Sequence, residues 1–415
     1  MNYNPQSKVD ILIQHASELI TCEIANSHTP KRGGELHDLG IIKDGALAIK
    51  DGKIIFVGKS NNVHFKAKKI IDARGKIVMP GFVDCHTHAI FAGSREDEFI
   101  KKQQGLSYLD ILNAGGGILS TVKKTRRARK EELFNIAYER FKEMLFHGTT
   151  TLEVKSGYGL TFKDEIKILE VADMLAATLP IGIVKTYLGA HAFPKNVSRK
   201  KYINDIVTSL EKIKPHAEFC DVFCEKGVFT LLETEEILGA AKKCGFKLKL
   251  HAEQNCTLNS TQLACKLSAV SIDHLEHISP DGIHALEKSN AIGVLLPGVS
   301  FYLMEKKYAP ARKMIDRGVA IAIATNFNPG SCPSYNMQMM IALACFNMKL
   351  LPAEAINATT INAACAIDRA HEIGSLEVGK KADILILKVD NHNQLPYYFG
   401  INLVEQVIKD GKIVS

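Results

Sequence analysis

The sequence predicts an α/β fold: a (β/α)8 TIM-like barrel with a small β-sandwich domain built from both termini. Three observations carry this expectation. Eight short β-branched runs recur between Val78 and Ala324, helix-period segments separate most of them, and hairpin-like strand pairs sit at both chain ends. Eight strands alternating with helices over ~250 residues is the arithmetic of a barrel.

The elements follow in order. Val9 to Ile13 alternates as a strand, Gly40 to Lys50 contains a second, and Lys53 to Gly58 follows the turn signal Asp51-Gly52 as the other arm of a hairpin. Lys69 to Ala73 and Lys76 to Val78 add short strands. At the other end, Ala382 to Val389 is a strand, and Val404 to Ile408 pairs with Lys412 to Val414 across Asp410-Gly411. The barrel strands are expected at Val78 to Asp84, Thr149 to Val154, Ile183 to Leu188, Phe219 to Phe223, Lys247 to Leu250, Ala269 to Asp273, Ala291 to Leu296 and Val319 to Ala324. Helices are expected at Lys130 to His147, Lys163 to Thr178, Arg199 to Lys214, Thr234 to Cys244, Asn259 to Lys266 and Ser279 to Lys288. This divides the chain into residues 1–77 and 371–415, which share the β-sandwich, and residues 78–370, the barrel.

Composition narrows the function classes. The 415 residues are 46% hydrophobic and 23% charged, near globular averages, with a formal net charge of +7. That excess is too dilute for a nucleic-acid partner and suits an anionic small substrate. No apolar run approaches the ~18 residues of a membrane span. Polar residues Asn2, Gln6, Lys8 and Asp10 interrupt the N-terminus, so no signal peptide is expected. The ten cysteines form no C-x-x-C pair, which points to a reduced, cytoplasmic setting and to thiols used as core filler.

The chemistry gathers at the strand ends. His86 and His88 lie two apart at the end of the first barrel strand, so both imidazoles point the same way. His251 closes strand five, His274 strand six, and Asn326 strand eight. A barrel brings these ends to one mouth. Three imidazoles with one position left for water is the geometry of a catalytic metal, and imidazole suits Zn or Fe.

These features resemble the amidohydrolase superfamily. Gly93-Ser94-Arg95-Glu96, Gly115 to Val122, Glu153-Val154-Lys155-Ser156-Gly157-Tyr158-Gly159-Leu160, Leu188-Gly189-Ala190-His191 and Asn328-Pro329-Gly330 closely resemble, within it, the imidazolonepropionase family. The resemblance covers nearly the whole chain. It implies a metal-dependent hydrolase acting on a cyclic amide, opening 4-imidazolone-5-propanoate to N-formimidoyl-L-glutamate in histidine degradation. It implies one Zn2+ or Fe3+ ion per subunit on His86, His88 and His251, faced by Asn326, and a cytoplasmic homodimer. Arg95 would take the propanoate, Tyr158, His191 and Gln254 the ring, and His274 the attacked carbonyl; Asn328, Gly330 and Ser331 would line the far end. Gln254, His274 and Asn326 are the residues placed nearest the chemistry.

At strand eight the superfamily normally carries an aspartate that touches the metal and accepts the proton of the attacking water. The amide of Asn326 can coordinate but is no base. Three readings follow: another residue serves as base, the substitution was introduced to inactivate, or the chain binds without turnover. His274 is the best substitute, since imidazole transfers protons near neutrality; Glu253 is a poorer one. Rival functions are a nucleobase-type deaminase, a two-metal hydantoinase or dihydroorotase, and a non-catalytic homologue. The two-metal enzymes use a carboxylated lysine at strand four, where Asp221 to Glu225 stands here. The basic run Lys123, Lys124, Arg126, Arg127, Arg129 and Lys130 is read as a solvated face near the mouth that attracts anions. Gly115 to Gly117 is read as an active-site loop; no Lys-Ser/Thr follows it, as a nucleotide cradle requires.

Overall fold

The computed structural model describes residues 8–24, 29–106 and 116–414. Asn2 and Gln6, part of the N-terminal reading, and Gly115 of the triglycine lie outside the described residues. Eight parallel strands run in sequence order around the barrel: Phe82–Asp84, Thr149–Lys155, Gly182–Ala190, Phe219–Cys224, Lys247–Ala252, Ser271–His274, Ile292–Leu295 and Ile321–Ile323. The ring closes at its C-terminal mouth, where Asn326 N donates to His86 O at 3.0 Å and His88 N to Phe327 O at 3.0 Å.

The expected helices form between these strands, four of the six with a side-chain cap at the start. Thr161 accepts from Asp164 N ahead of Phe162–Thr178, Ser198 from Lys201 N ahead of Arg199–Ile213, and Ser279 from Gly282 N ahead of Pro280–Glu287. Thr230 and Glu233 form a reciprocal capping box that starts Leu231–Lys243, three residues earlier than expected from periodicity. Among the described residues, no helix is long and apolar enough to cross a membrane. All ten cysteines are free thiols, six of them buried.

The strand expected over Val78 to Asp84 is two strands. Ile77–Pro80 pairs with Ile384–Leu387 outside the barrel, and Phe82–Asp84 begins the barrel after Gly81. Gly81 N donates to Asp383 O at 2.9 Å, so the break is pinned to the C-terminal segment. Continuous hydrophobicity hid it, because both halves are buried on two faces.

Ten strands form two sheets. One runs Lys53–Lys59, Gly45–Lys50, Lys8–Ala16, Lys66–Asp72; the other runs Lys412–Ile413, Val404–Lys409, Ile384–Leu387, Ile77–Pro80, Glu18–Ile20, Ile41–Ile42. The second therefore draws strands from both termini. Alternation along Ile384–Leu387 explains its unbroken apolar sequence: Ile384 and Ile386 pack with Ile13, Leu47 and Ile49 of the facing sheet, and Leu385 and Leu387 join the barrel core. Replacing Ile384, which is fully buried between the sheets, by alanine is expected to cost about 2–5 kcal/mol. Urea unfolding should show this as an earlier midpoint at unchanged slope.

Candidate metal centre and cavity

The ends of strands one, five, six and eight surround one point with His86, His88, His251, His274 and Asn326. The His86 ring lies 4.5 Å from His251, 5.4 Å from His88 and 5.6 Å from His274, centre to centre. One ring nitrogen from each of His86, His88 and His251 falls within 4.8 Å of the others. His88 Nε2 faces His251 Nε2 at 3.4 Å, and His86 Nε2 and Asn326 Oδ1 are buried without a hydrogen-bond partner. Lone pairs converging without donors fit a cation. Burial first, then the Lys155 charge, holds the His86 and His251 pKa values well below the ordinary imidazole range; for His88 burial acts with its histidine neighbours. Neutral imidazole is the form that ligates.

A layer of buried charge lies beneath. Lys155 Nζ sits 2.7 Å from Asp221, 3.1 Å from Glu153 and 3.3 Å from Asp273. Burial opposes this ammonium, but Asp221, Glu153 and Asp273 outweigh it and raise its pKa. Lys249 Nζ donates to Glu153 at 3.0 Å and to Cys85 O at 2.9 Å. Two of the carboxylates reach upward: Asp273 Oδ2 lies 2.6 Å from His86 Nδ1, and Asp221 Oδ2 lies 2.9 Å from His251 Nδ1. The Asp273 contact places the His86 proton on Nδ1 and leaves its Nε2 as a donor of electrons, while Asp221 Oδ1 accepts from the His251 backbone N–H at 3.2 Å. Glu153 and Asp273 also approach His86 closely enough to suggest a second cation group, but Lys155 and Lys249 already occupy their oxygens. A lysine held charged in this way is no carbamate ligand.

Above the histidines opens a cavity of about 680 Å³. Its walls include His88, His251, His274, Asn326, Arg95, Tyr158, His191, Gln254, Asn328, Gly330 and Ser331, so the expected site residues come together except His86, which lies deeper and fully buried. Arg95 precedes helix Glu96–Gln103 and donates from Nη2 to Glu98 Oε2 at 2.6 Å, while its buried Nε has no partner. The guanidinium lies against Gly330, where a Cβ would fall 2.0 Å from Nη1. Asn328 is spent on its own loop: Oδ1 accepts from Gly330 N and Ser331 N, and Nδ2 donates to Asn326 O and Ser331 Oγ. His191 stacks on His88 at 4.9 Å, and burial pulls its pKa down to about 4.

Two expectations need revision. Glu253 does not face the cavity: its carboxylate accepts from Thr261 Oγ1 at 3.1 Å and from backbone N–H groups of residues 259 to 261, capping helix Ser260–Lys266. The basic run is only partly a solvated face. Lys124 Nζ donates to Ser94 O at 2.8 Å and Arg126 Nε to Gly159 O at 2.5 Å, so these two brace loops on either side of the mouth. Lys102, Glu225, Lys226 and Glu305 also line the cavity and carry no motif that would have marked them. The buried Glu153, Lys155, Asp221, Lys249 and Asp273 did leave a signal: charges at alternate positions inside otherwise apolar strands, as in Leu-Glu-Val-Lys and Lys-Leu-Lys-Leu.

Comparison with known proteins agrees with this geometry. Among solved structures, the fold is similar to an adenosine deaminase from Xanthomonas campestris with bound zinc (TM-score 0.75, 19% identity, 99% of this chain and 93% of that one). It is also similar to a triazine hydrolase variant (TM-score 0.74, 16% identity, 97% and 94%). At such identities the likeness is one of fold. The imidazolonepropionase of Alkaliphilus oremlandii is 45% identical over 415 residues, covering 98% of both chains. That of Streptococcus pyogenes serotype M3 is 45% identical over 412 residues, covering 97% of both. The amidohydrolase family profile matches residues 77–414. The chain therefore belongs to the amidohydrolase family and, within it, to the imidazolonepropionases.

Proposed function

We propose that this protein hydrolyses the lactam C–N bond of 4-imidazolone-5-propanoate to give N-formimidoyl-L-glutamate, with one Zn2+ or Fe3+ ion per subunit, in the cytoplasm. The observation that carries the reading is a cationic anchor for a carboxylate, Arg95, in the same cavity as three convergent imidazoles. His86, His88 and His251 would hold the ion. When bound, it supplies Lewis acidity and lowers the pKa of water towards ~7.

The remaining roles belong to side chains. Arg95 has a buried, unpartnered Nε, and Glu98 fixes its plane, so it would meet the propanoate in a set orientation. Tyr158, His191 and Gln254 hold the ring, and His274 stands over the carbonyl. Water adds to that carbonyl carbon, the C–N bond breaks, and a proton passes to the ring nitrogen. Asn326 offers Oδ1 as an acceptor that orients the water but takes no proton, so we assign the base to His274. Asn328, Gly330 and Ser331 close the far end. A nucleobase deaminase is disfavoured by the Arg95 anchor, and relatives of that activity share only the fold.

We also infer a homodimer, with no nucleic-acid or membrane partner. Its support is an exposed apolar face in which Phe346 packs on Phe399 at 5.6 Å beside Tyr397, Tyr398, Ile401 and Phe146.

Four outcomes test these assignments. Elemental analysis should find Zn or Fe near one per chain, lost in His88→Ala and His251→Ala; equal content in those variants would refute the ligand set. Asn326→Asp should raise kcat on 4-imidazolone-5-propanoate by about 10²–10⁴, and no gain would show that position 326 does not limit turnover. Arg95→Ala should raise KM at least about tenfold, the scale of a lost charge-assisted pair; an unchanged KM removes its role. Light scattering should give a dimer that Phe399→Glu converts to monomer, and a monomeric parent chain would overturn the dimer.

A further inference from the structure

Glu165 lies outside the cavity, in the first turn of helix Phe162–Thr178, and is 1% exposed. Its carboxylate accepts three backbone N–H bonds from one short loop: Gly157 N to Oε2 at 2.6 Å, Gly159 N to Oε1 at 2.8 Å and Leu160 N to Oε1 at 2.6 Å. That loop carries Tyr158 into the cavity. Three donors on one buried carboxylate are unusual for a residue whose only task is packing, since a neutral side chain would serve packing without the desolvation cost.

The loop's backbone conformation needs holding. Gly157 has φ +102°, and a Cβ there would fall 2.8 Å from His191 Nδ1; Leu160 has φ +52°. Leu160, a non-glycine residue in the left-handed region two positions after Tyr158, stores strain that the carboxylate offsets. From the outer side Arg126 Nε donates to Gly159 O at 2.5 Å. From the cavity side His191 Nδ1 lies 3.1 Å from Gly157 O. A carbonyl oxygen only accepts, so Nδ1 must carry the proton, and Nε2 is left as an acceptor for a ring N–H.

We propose that Glu165 is a positioning residue for substrate: by clamping the 157–160 backbone it fixes where the Tyr158 phenol stands and which tautomer His191 presents. The proposal rests on the reading that Tyr158 and His191 meet the substrate ring. Glu165→Gln replaces one acceptor oxygen by an N–H₂ that faces a backbone donor and removes the charge, while keeping size and shape.

The test uses the metal-loaded full chain and calorimetric titration with imidazole-4-propanoate, a ring-plus-carboxylate probe without a lactam bond, alongside KM for 4-imidazolone-5-propanoate. Glu165→Gln should weaken probe binding about 10–100-fold while metal content stays at the parent level. Amide exchange should rise in the 156–162 segment and not elsewhere. In a Tyr158→Phe background the same substitution should cost less than half as much, because it acts through Tyr158. Affinity within twofold of the parent, or effects of the two substitutions that simply multiply, overturns the positioning role alone. A parent chain that binds neither probe nor substrate overturns the ligand reading and the proposal with it. If Glu165→Gln does not fold, Arg126→Met loosens the same loop from its exposed side. It should weaken the probe about 2–5-fold, the scale of one surface-accessible hydrogen bond, and an unchanged affinity counts against the proposal.

Discussion

The site depends on the ammonium of Lys155, fully buried under the histidines and shared among Glu153, Asp221 and Asp273. A charge this deep carries a desolvation cost of several kcal/mol unless every neighbour is matched to it. Here the match is also the means of aiming the convergent histidines. Asp273 Oδ2 meets both Lys155 Nζ and His86 Nδ1, and Asp221 Oδ2 lies against both Lys155 Nζ and the His251 ring. Burial works against ionised Asp273, but Lys249 and Lys155 prevail and hold its pKa below the ordinary value. The imidazoles are therefore oriented by carboxylates that are themselves pinned by lysine, and removing the lysine would release both layers at once.

This arrangement needs a closed parallel barrel. Strand pairing places Lys249 beside Ser271 and His251 beside Asp273, so charges from strands two, four, five and six meet on the inner face at one height. The first strand is only Phe82–Asp84, and its position comes largely from outside: Gly81 is tied to Asp383, and Asp84 accepts from Thr325 N and Oγ1 at 3.1 and 2.6 Å. The sheet built from both termini thus anchors the strand that leads into His86 and His88. Two histidines just beyond a three-residue strand would otherwise rest on very few ladder bonds.

How much of this could be read from sequence follows from the range of each signal. His86, His88, His251, His274 and Asn326 were legible because strand ends are local features and a barrel converts them into one locus. The hairpins at Asp51-Gly52 and Asp410-Gly411 were legible from turn chemistry. The break at Gly81 was not, since an apolar run buried on both faces has no period to interrupt. Nor was the direction of Glu253, whose backbone takes φ +55° and turns the side chain back onto a helix start. Lys124 and Arg126 looked like solvated charge because sequence cannot show which carbonyls will lie within reach. The Lys155 network was written in the strands as alternating charge, but its pairing joins residues as far apart as Lys155 and Asp273 on different strands, a relation that periodicity does not contain.

Asn326 is best judged against that network. The geometry of its position does not depend on a carboxylate: its N–H closes the barrel on His86 O, and Asn tolerates its left-handed φ of +54°. An amide therefore keeps the place and the acceptor of an aspartate while lacking its charge and basicity. The buried carboxylates nearby do not make up the loss, because Lys155 and Lys249 have claimed Glu153, Asp221 and Asp273, and a proton delivered there would have to break an ion pair. Glu253 is turned away. Of the groups that face the cavity beside His88 and His251, His274 retains a buried Nδ1 without a hydrogen-bond partner, 3.5 Å from Glu276 Oε1. His274 is thus the imidazole left with an unpartnered ring nitrogen at the cavity wall, which is why the proposed base falls to it and not to a buried carboxylate.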